Sequence, residues 1–202
     1  MPDLQKGHPR EWAEMKNYKL KGIEDQIFKS LVEYGRGNWI YQDGIFVTSG
    51  PHETIMELSV PVKKREPSEY ALALCEFLEL NRNKQLIGDS CYDVGNVMKL
   101  YSLMSKVDGA ANFNDGCLTA VKRSIKRLKD TDEGGTRHQA AAAASEDGIN
   151  NGLVAYVLSG ERGDVTVFYG GTSLLMNRRS KNLIVSPHEQ RSYRKLNISV
   201  EV

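Results

Sequence analysis

The chain has 202 residues, of which 40% are hydrophobic and 26% are charged, and its net charge at pH 7 is +1. This composition excludes the charge-rich, apolar-poor class of disordered proteins and leaves enough apolar surface for a core. The charge is uneven along the chain. Residues 1–100 carry 13 Lys and Arg against 15 Asp and Glu, whereas residues 101–202 carry 14 against 11, so basic character gathers in the second half.

The sequence shows no sign of a membrane, disulfide or metal-binding protein. Its longest apolar runs fall short of the roughly 18 residues of a membrane-spanning helix, and "MPDLQKGHPREW" lacks the apolar stretch of a signal peptide. Cys75, Cys91 and Cys117 are an odd number, and none of the four histidines stands in a metal-ligand spacing. We therefore expect a cytoplasmic protein without a metal or a cofactor.

The first third predicts a helix followed by strands. Residues 10–34 carry apolar side chains at helical spacing, and the glycines of "GRG" end the segment. "NWIYQDGIFVT" contains two aromatic and β-branched runs separated by Asp43 and Gly44, which favours a β-hairpin. "TIMELSVPVKKR" predicts a further strand, at an edge of the sheet because Pro61 cannot donate a ladder hydrogen bond.

The remainder predicts helices and then strands. Helices are expected from Pro67 to Leu80, from Tyr92 to Val107, over 116–129, and from Thr136, which stands in capping-box spacing with Gln139. After Gly163 apolar residues alternate with polar ones, as in a β-meander. The predicted fold is a single α+β domain, 1–202, with a helical middle (about 67–158) between an N-terminal helix plus β-hairpin (1–66) and a C-terminal antiparallel β-meander (159–202).

The sharpest pattern is the basic face of "CLTAVKRSIKRLKD". On a helix, its apolar residues would form one stripe and its cations would fill most of the opposite face. Such a face could neutralise phosphates of a nucleic acid, although it is also typical of the solvated side of an amphipathic helix. The cations are Lys122, Arg123, Lys126, Arg127 and Lys129.

Two further basic clusters follow in the C-terminal segment. Tyr193 stands among the cations of the second cluster, a mixture that can stack on unpaired bases and hold backbone phosphates. Both clusters could equally be charged turns at strand ends. Their members are Arg178, Arg179 and Lys181, and Arg191, Tyr193, Arg194 and Lys195.

"GDSCYDVGN" (88–96) resembles the first sequence block of the GDSL, or SGNH, hydrolases. That resemblance implies that Ser90 is a nucleophile whose amide, with Gly95 or an Asn elsewhere, helps form an oxyanion hole. The family's basic histidine follows an Asp by three positions, and no histidine here does so; its Gly-x-Asn-Asp block is also missing. The alternative is that Asp89 or Ser90 caps a helix that starts near Tyr92.

The leading hypothesis is a non-enzymatic protein that binds RNA or single-stranded nucleic acid by phosphate neutralisation and forms homo-oligomers, as a viral or phage coat or accessory protein would. A second hypothesis is a structural module in which the basic helix meets an acidic partner and Ala140 to Ala144 form a subunit contact. The third is a GDSL-like serine hydrolase that uses Ser90.

Overall fold

A computed structural model describes residues 20–37, 44–62, 68–88, 91–131, 135–161 and 163–177. The helices are α1 Gly22–Gly37, α2 His52–Leu58, α3 Glu69–Asn81, α4 Val94–Met104 and α5 Thr136–Asp147, with a 3₁₀ turn at Ile149–Asn151. The strands are β1 Ile45–Ser49, β2 Ser59–Pro61, β3 Ile87–Gly88, β4 Cys91–Tyr92, β5 Ala110–Asn114, β6 Cys117–Ile125, β7 Val154–Leu158, β8 Val165–Tyr169 and β9 Thr172–Asn177.

The predicted α+β class is confirmed by a seven-stranded sheet covered by helices on both faces. The strand order is β2-β6-β5-β1-β7-β8-β9, in which only β1 and β5 run parallel, and β3 and β4 form a separate pair. The apolar residues of α1, α3 and α4 share one core with one face of the sheet, while those of α2 and α5 pack on the opposite face. The sheet is therefore the middle layer of three.

Strand β1 lies in the centre of this sheet and corrects the hairpin prediction. Its five residues are all buried, and its two edges pair with β5 and β7. A strand with both faces covered is apolar throughout and does not alternate. The predicted hairpin across Asp43 and Gly44 is therefore wrong for Ile45–Ser49, because both edges of this strand are already occupied.

A two-residue hairpin turn of the predicted kind lies at Asp115 and Gly116, between β5 and β6. Both residues have positive φ, 49° and 76°, as a type I′ turn requires. This turn also corrects the prediction of a helix over 116–129, since Cys117–Ile125 pairs along β5 as strand β6. Pairing with two neighbouring strands outweighs the helical spacing of the apolar residues.

Other predictions agree with the structure to within a few residues. The helices expected from Pro67 and Tyr92 are α3 and α4, and the C-terminal meander is formed by β7, β8 and β9 as far as Asn177. Pro61 lies on an edge strand as predicted, but much of the preceding segment is helical and forms α2. Strands predicted after 177 lie outside the described residues.

The alanine-rich helix α5 packs inside the chain. Ala141, Ala142, Ala143 and Ala144 are fully buried and lie against the sheet in one core with Phe168. Small side chains let a helix approach a sheet closely. The hypothesis that these alanines form a subunit contact is therefore wrong, because their surface is already covered by this chain.

The sequence predicts no membrane-spanning helix, and the five helices of the described residues can be compared with this prediction. None of the five is long and apolar enough to cross a lipid bilayer.

Candidate phosphate-binding site

The structure places the predicted cationic face on strand β6 and the loop after it, where several cations bind groups of this chain. Arg123 is buried. Its Nε donates to Ser59 Oγ and its Nη2 donates to the Ser59 carbonyl oxygen, both at 2.9 Å. Burial lowers the pKa of Arg123. Lys126 donates through Nζ to the carbonyl of Glu57. These two residues tie α2 and β2 to β6.

The next two cations bind the end of helix α5. Arg127 donates from Nε to Asp147 Oδ2 at 3.0 Å and from Nη2 to Oδ1 at 2.7 Å, and it also contacts Glu146. Lys129 Nζ lies 2.6 Å from Glu146 Oε1. The hydrogen bonds from Arg127 and Lys129 hold the pKa of the Glu146 carboxyl below its usual value. The predicted cationic face is thus largely paired within the chain.

Lys122 differs from the other four cations. It is half-buried and has φ of 55°, in the left-handed region that a lysine rarely adopts. Its ammonium makes no hydrogen bond or ion pair within the ranges that the structure describes. Of the five predicted cations on this segment, it is the one available to a ligand.

The remaining predicted residues lie outside the described ranges. This holds for Asp89 and Ser90, and for Arg178, Arg179, Lys181, Arg191, Tyr193, Arg194 and Lys195. The cap of helix α4 is nevertheless visible, and it is Asp93, whose carboxylate accepts from Asn96 N at 3.1 Å. The prediction that Asp89 or Ser90 caps this helix is therefore wrong.

A group of residues that sequence reasoning missed lies at one edge of the sheet. Strands β1 and β5 are parallel, so their amino ends meet at this edge, and the carboxyl end of the antiparallel β7 lies there too. Asp108 stands just before β5, and Arg137 is the second residue of α5. Arg137 Nη2 lies 3.6 Å from Asp108 Oδ1. In this ion pair the side chain of Arg137 is partly covered and that of Asp108 is largely exposed.

Gly44 brings the backbone close to Arg137, and Gly109, next to Asp108, packs against the backbone of β6. A methyl group on Gly44 would lie 3.3 Å from Arg137 Nη1 and 2.9 Å from the Leu158 carbonyl oxygen. Gly109 has φ of 109°, and a methyl group there would lie 2.9 Å from Arg123 N. No other residue type fits either position without displacing the neighbouring backbone. The edge next to Asp108 and Arg137 is therefore lined by main chain.

The amino end of α5 lies at this edge and is positively charged. Its N-cap residue is Gly135, with φ of 82°, which has no side chain that could accept from the first N–H groups of the helix. These groups have no acceptor within the helix itself, and they carry the positive end of its dipole. The first turn contains no acid and adds the cation Arg137. The combination favours a bound anion.

The sequence carries a signal for this site. Thr136 is in capping-box spacing, but a Gly before a helix whose first turn holds Arg and no Asp or Glu is more typical of a site for an anion. Asp108 before Gly109 at the start of a strand is the second signal. Nothing in the sequence indicates that these two segments meet.

Comparison with known proteins supports the fold alone. No protein-family profile and no curated protein matches the chain. Among solved structures, it is similar to a hypothetical membrane spanning protein from Bacillus cereus, with a TM-score of 0.50 and 17% identity over 75% of this chain. The match covers 63% of that protein, so the chain spans less than two thirds of its length. A double mutant of DacA from Staphylococcus aureus aligns with a TM-score of 0.40 and 17% identity over 76% of this chain and 83% of that one.

The ion pairs at the end of α5 predict a pH-dependent contribution to stability. Because the pKa of Glu146 is lowered in the folded state, its carboxylate stabilises the fold above the ordinary glutamate pKa. This contribution is lost as the pH falls through the lowered value. Urea unfolding of the wild type and Glu146→Gln should show a difference near neutral pH that shrinks in acid. A difference that is constant with pH would contradict the pairing.

Proposed function

We propose that the protein binds a nucleoside triphosphate, as its Mg²⁺ complex, at the sheet edge formed by Gly44, Asp108, Gly109 and the amino end of α5. The observation that carries this proposal is the contact of Asp108 with Arg137 at a helix start whose N-cap residue is a glycine. Phosphate groups bind readily at such helix starts, where N–H groups and the helix dipole act together.

The carboxylate of Asp108 favours a metal complex over a bare anion. A free phosphate would be repelled by Asp108, whose side chain is 62% exposed next to the helix start. Mg²⁺ reverses this, because it commonly binds to one or two carboxylates and completes its shell with water and with oxygens of a substrate's phosphates. Asp108 would then hold the ion, and the ion would bridge to the ligand.

Arg137 and the backbone would hold the remaining phosphate oxygens. The planar guanidinium donates two parallel hydrogen bonds to a phosphate group, which a lysine cannot do. The first N–H groups of α5, which have no acceptor within the helix, belong to the same turn as Arg137. Asp108 for the metal, Arg137 and the start of α5 together suit a ligand with several linked phosphate groups and a bound Mg²⁺.

Binding of nucleic acid remains a second proposal, which fewer available cations support than the sequence pattern predicts. Four of the five cations on the segment 122–129 bind groups of this chain, which reduces their capacity to neutralise phosphates. Lys122 has no such partner within the described ranges, and the C-terminal basic clusters add to it in the sequence. Self-association and a coat or accessory role also remain proposals.

Fluorescence polarisation with a labelled ATP analogue tests the first proposal. We expect saturable binding in Mg²⁺ that weakens when EDTA replaces the metal, and that unlabelled ATP reverses. Absence of binding in Mg²⁺, with protein titrated into the millimolar range, would overturn it. A labelled single-stranded oligonucleotide at two salt concentrations tests the second proposal, which fails if no binding occurs at low salt.

A further inference from the structure

We infer that residues 126–131, here called the strap, position the amino end of α5 for its phosphate ligand through ion pairs at the opposite end of that helix. The inference rests on the proposed function for its ligand and on the contacts of the strap for its geometry. It gives Arg127 and Lys129 a role as positioning residues that do not touch the ligand.

The strap leaves strand β6 and runs along α5 from its last turn to its first. Arg127 binds Asp147 and Glu146 in the last turn. The backbone N–H of Lys129 then donates to the carbonyl of Gln139 at 3.1 Å, in the first turn. Gln139 and Glu146 lie two turns apart, roughly 10 Å along the helix axis. The strap is thus attached to both ends of the helix.

Lys129 connects the two attachments. While its backbone binds the first turn, its ammonium reaches Glu146 in the last turn at 2.6 Å. The turn between β8 and β9 closes over the same place, since Gly171 N donates to Ser145 Oγ at 3.1 Å and a methyl group on Gly171 would lie 2.5 Å from Lys129 Nζ. The strap, α5 and the β8–β9 turn therefore meet at the charged groups of Lys129 and Glu146.

This cluster holds the strap where its backbone binds the first turn of α5. The hydrogen bond from Lys129 N to the carbonyl of Gln139 holds the strap at the first turn of α5, which contains Arg137. Arg137 in that turn contacts Asp108 at the sheet edge. Where the ion pairs of the strap are removed, the backbone bond of Lys129 is the attachment that remains. This hydrogen bond then opens more often, because no ion pair holds the strap along the helix, so the loss should appear at the first turn of α5, far from the mutated charge.

Stability and ligand affinity should respond differently to the loss of these pairs. The side chains of Arg127 and Asp147 are partly exposed, and ion pairs of that kind contribute little to the free energy of unfolding. Positioning a helix start relative to a carboxylate matters more, because phosphate binding depends on both groups at once. An affinity change larger than the stability change is the signature of a positioning role.

The test compares Arg127→Gln with Arg82→Gln as a matched control. Arg82 pairs with Glu79 on α3, is at least as exposed, and lies on the opposite face of the sheet from α5. Two measurements are made on the full chain: the Kd for the labelled ATP analogue in Mg²⁺, and amide hydrogen exchange of the peptide that covers 136–141 without ligand. We expect Arg127→Gln to weaken binding about fivefold and to speed exchange, Arg127→Lys to restore part of both, and Arg82→Gln to change neither.

The outcomes separate this inference from the proposed function. Unchanged exchange in Arg127→Gln overturns the positioning role, whether or not the nucleotide binds. Faster exchange with an unchanged Kd also overturns it, because the helix start would then move without affecting the ligand. If the wild type fails to bind the nucleotide, the proposed function fails, and the exchange data alone decide whether the strap holds the helix start.

Discussion

Replacing Asp108 with Asn is expected to remove most of the Mg²⁺ dependence of nucleotide binding while the fold persists. The amide keeps the size of the carboxylate but loses the charge that would hold the ion. Affinity in Mg²⁺ should fall at least about tenfold, toward the value that the wild type shows in EDTA. Polarisation titrations of both proteins, with and without the metal, measure this directly.

Two further variants make the result specific. Asp25→Asn removes another ion-paired aspartate, bound to Lys29 at 2.8 Å on α1, and should leave nucleotide binding unchanged. Arg137→Gln should weaken binding in Mg²⁺ and in EDTA alike, because its contact is with phosphate oxygens. If Asp108→Asn retains the full Mg²⁺ effect, the ion is held elsewhere and the proposed arrangement is wrong.

Gly116→Ala is expected to be among the most destabilising single substitutions in the chain. Gly116 has φ of 76°, and a methyl group on it would overlap the carbonyl oxygen of Ile87. Its own carbonyl accepts from Leu86 N at 2.9 Å and Ile87 N at 3.2 Å, so the turn cannot move away without breaking both bonds. Positive φ and backbone displacement together should cost about 3 kcal/mol or more of the free energy of unfolding.

The control for this variant is Gly152→Ala. Gly152 has a similar φ of 70°, but no atom lies within 4 Å of the position that a methyl group would take. Its substitution should cost only about 1 kcal/mol, from the backbone conformation alone. Urea unfolding curves of the two variants separate the steric part from the conformational part. Equal losses would mean that the contact with Ile87 relaxes freely.

The α+β class and most helices can be predicted from the sequence because they depend on local patterns. Ser68 before α3 is a local signal that agrees with the structure, because its side chain accepts from Ala71 N. The alternation in the sequence predicts strand β8 correctly, although both faces of that strand are buried. The error at 117–125 has a non-local cause: the spacing of Leu118, Val121 and Ile125 suits a helix, but pairing with β5 and β2 decides the conformation. The Asp115–Gly116 turn is the available sequence signal for that strand.

The candidate site is less predictable than the fold. The sequence pattern predicts Arg127 and Lys129 as ligands for phosphate, yet both are paired with Glu146, on a helix that no local pattern places beside them. Asp108 and Arg137 carry no joint pattern, because their contact depends on a parallel strand pair and on the helix that covers it. Charge density along a sequence identifies cations but not the acids that neutralise them.

The parallel pairing of β1 with β5 also bears on how the protein folds. Phe46 pairs with Ala110, so the chain between them, which includes three helices, is a long loop that closes when this part of the sheet pairs. Contacts between distant parts of a chain form slowly, because the loop between them must first lose its conformational freedom. Gly44 and Asp108 flank these two strands. In refolding experiments, the ability to bind ligand should therefore appear with a late kinetic phase, after helix formation has been completed.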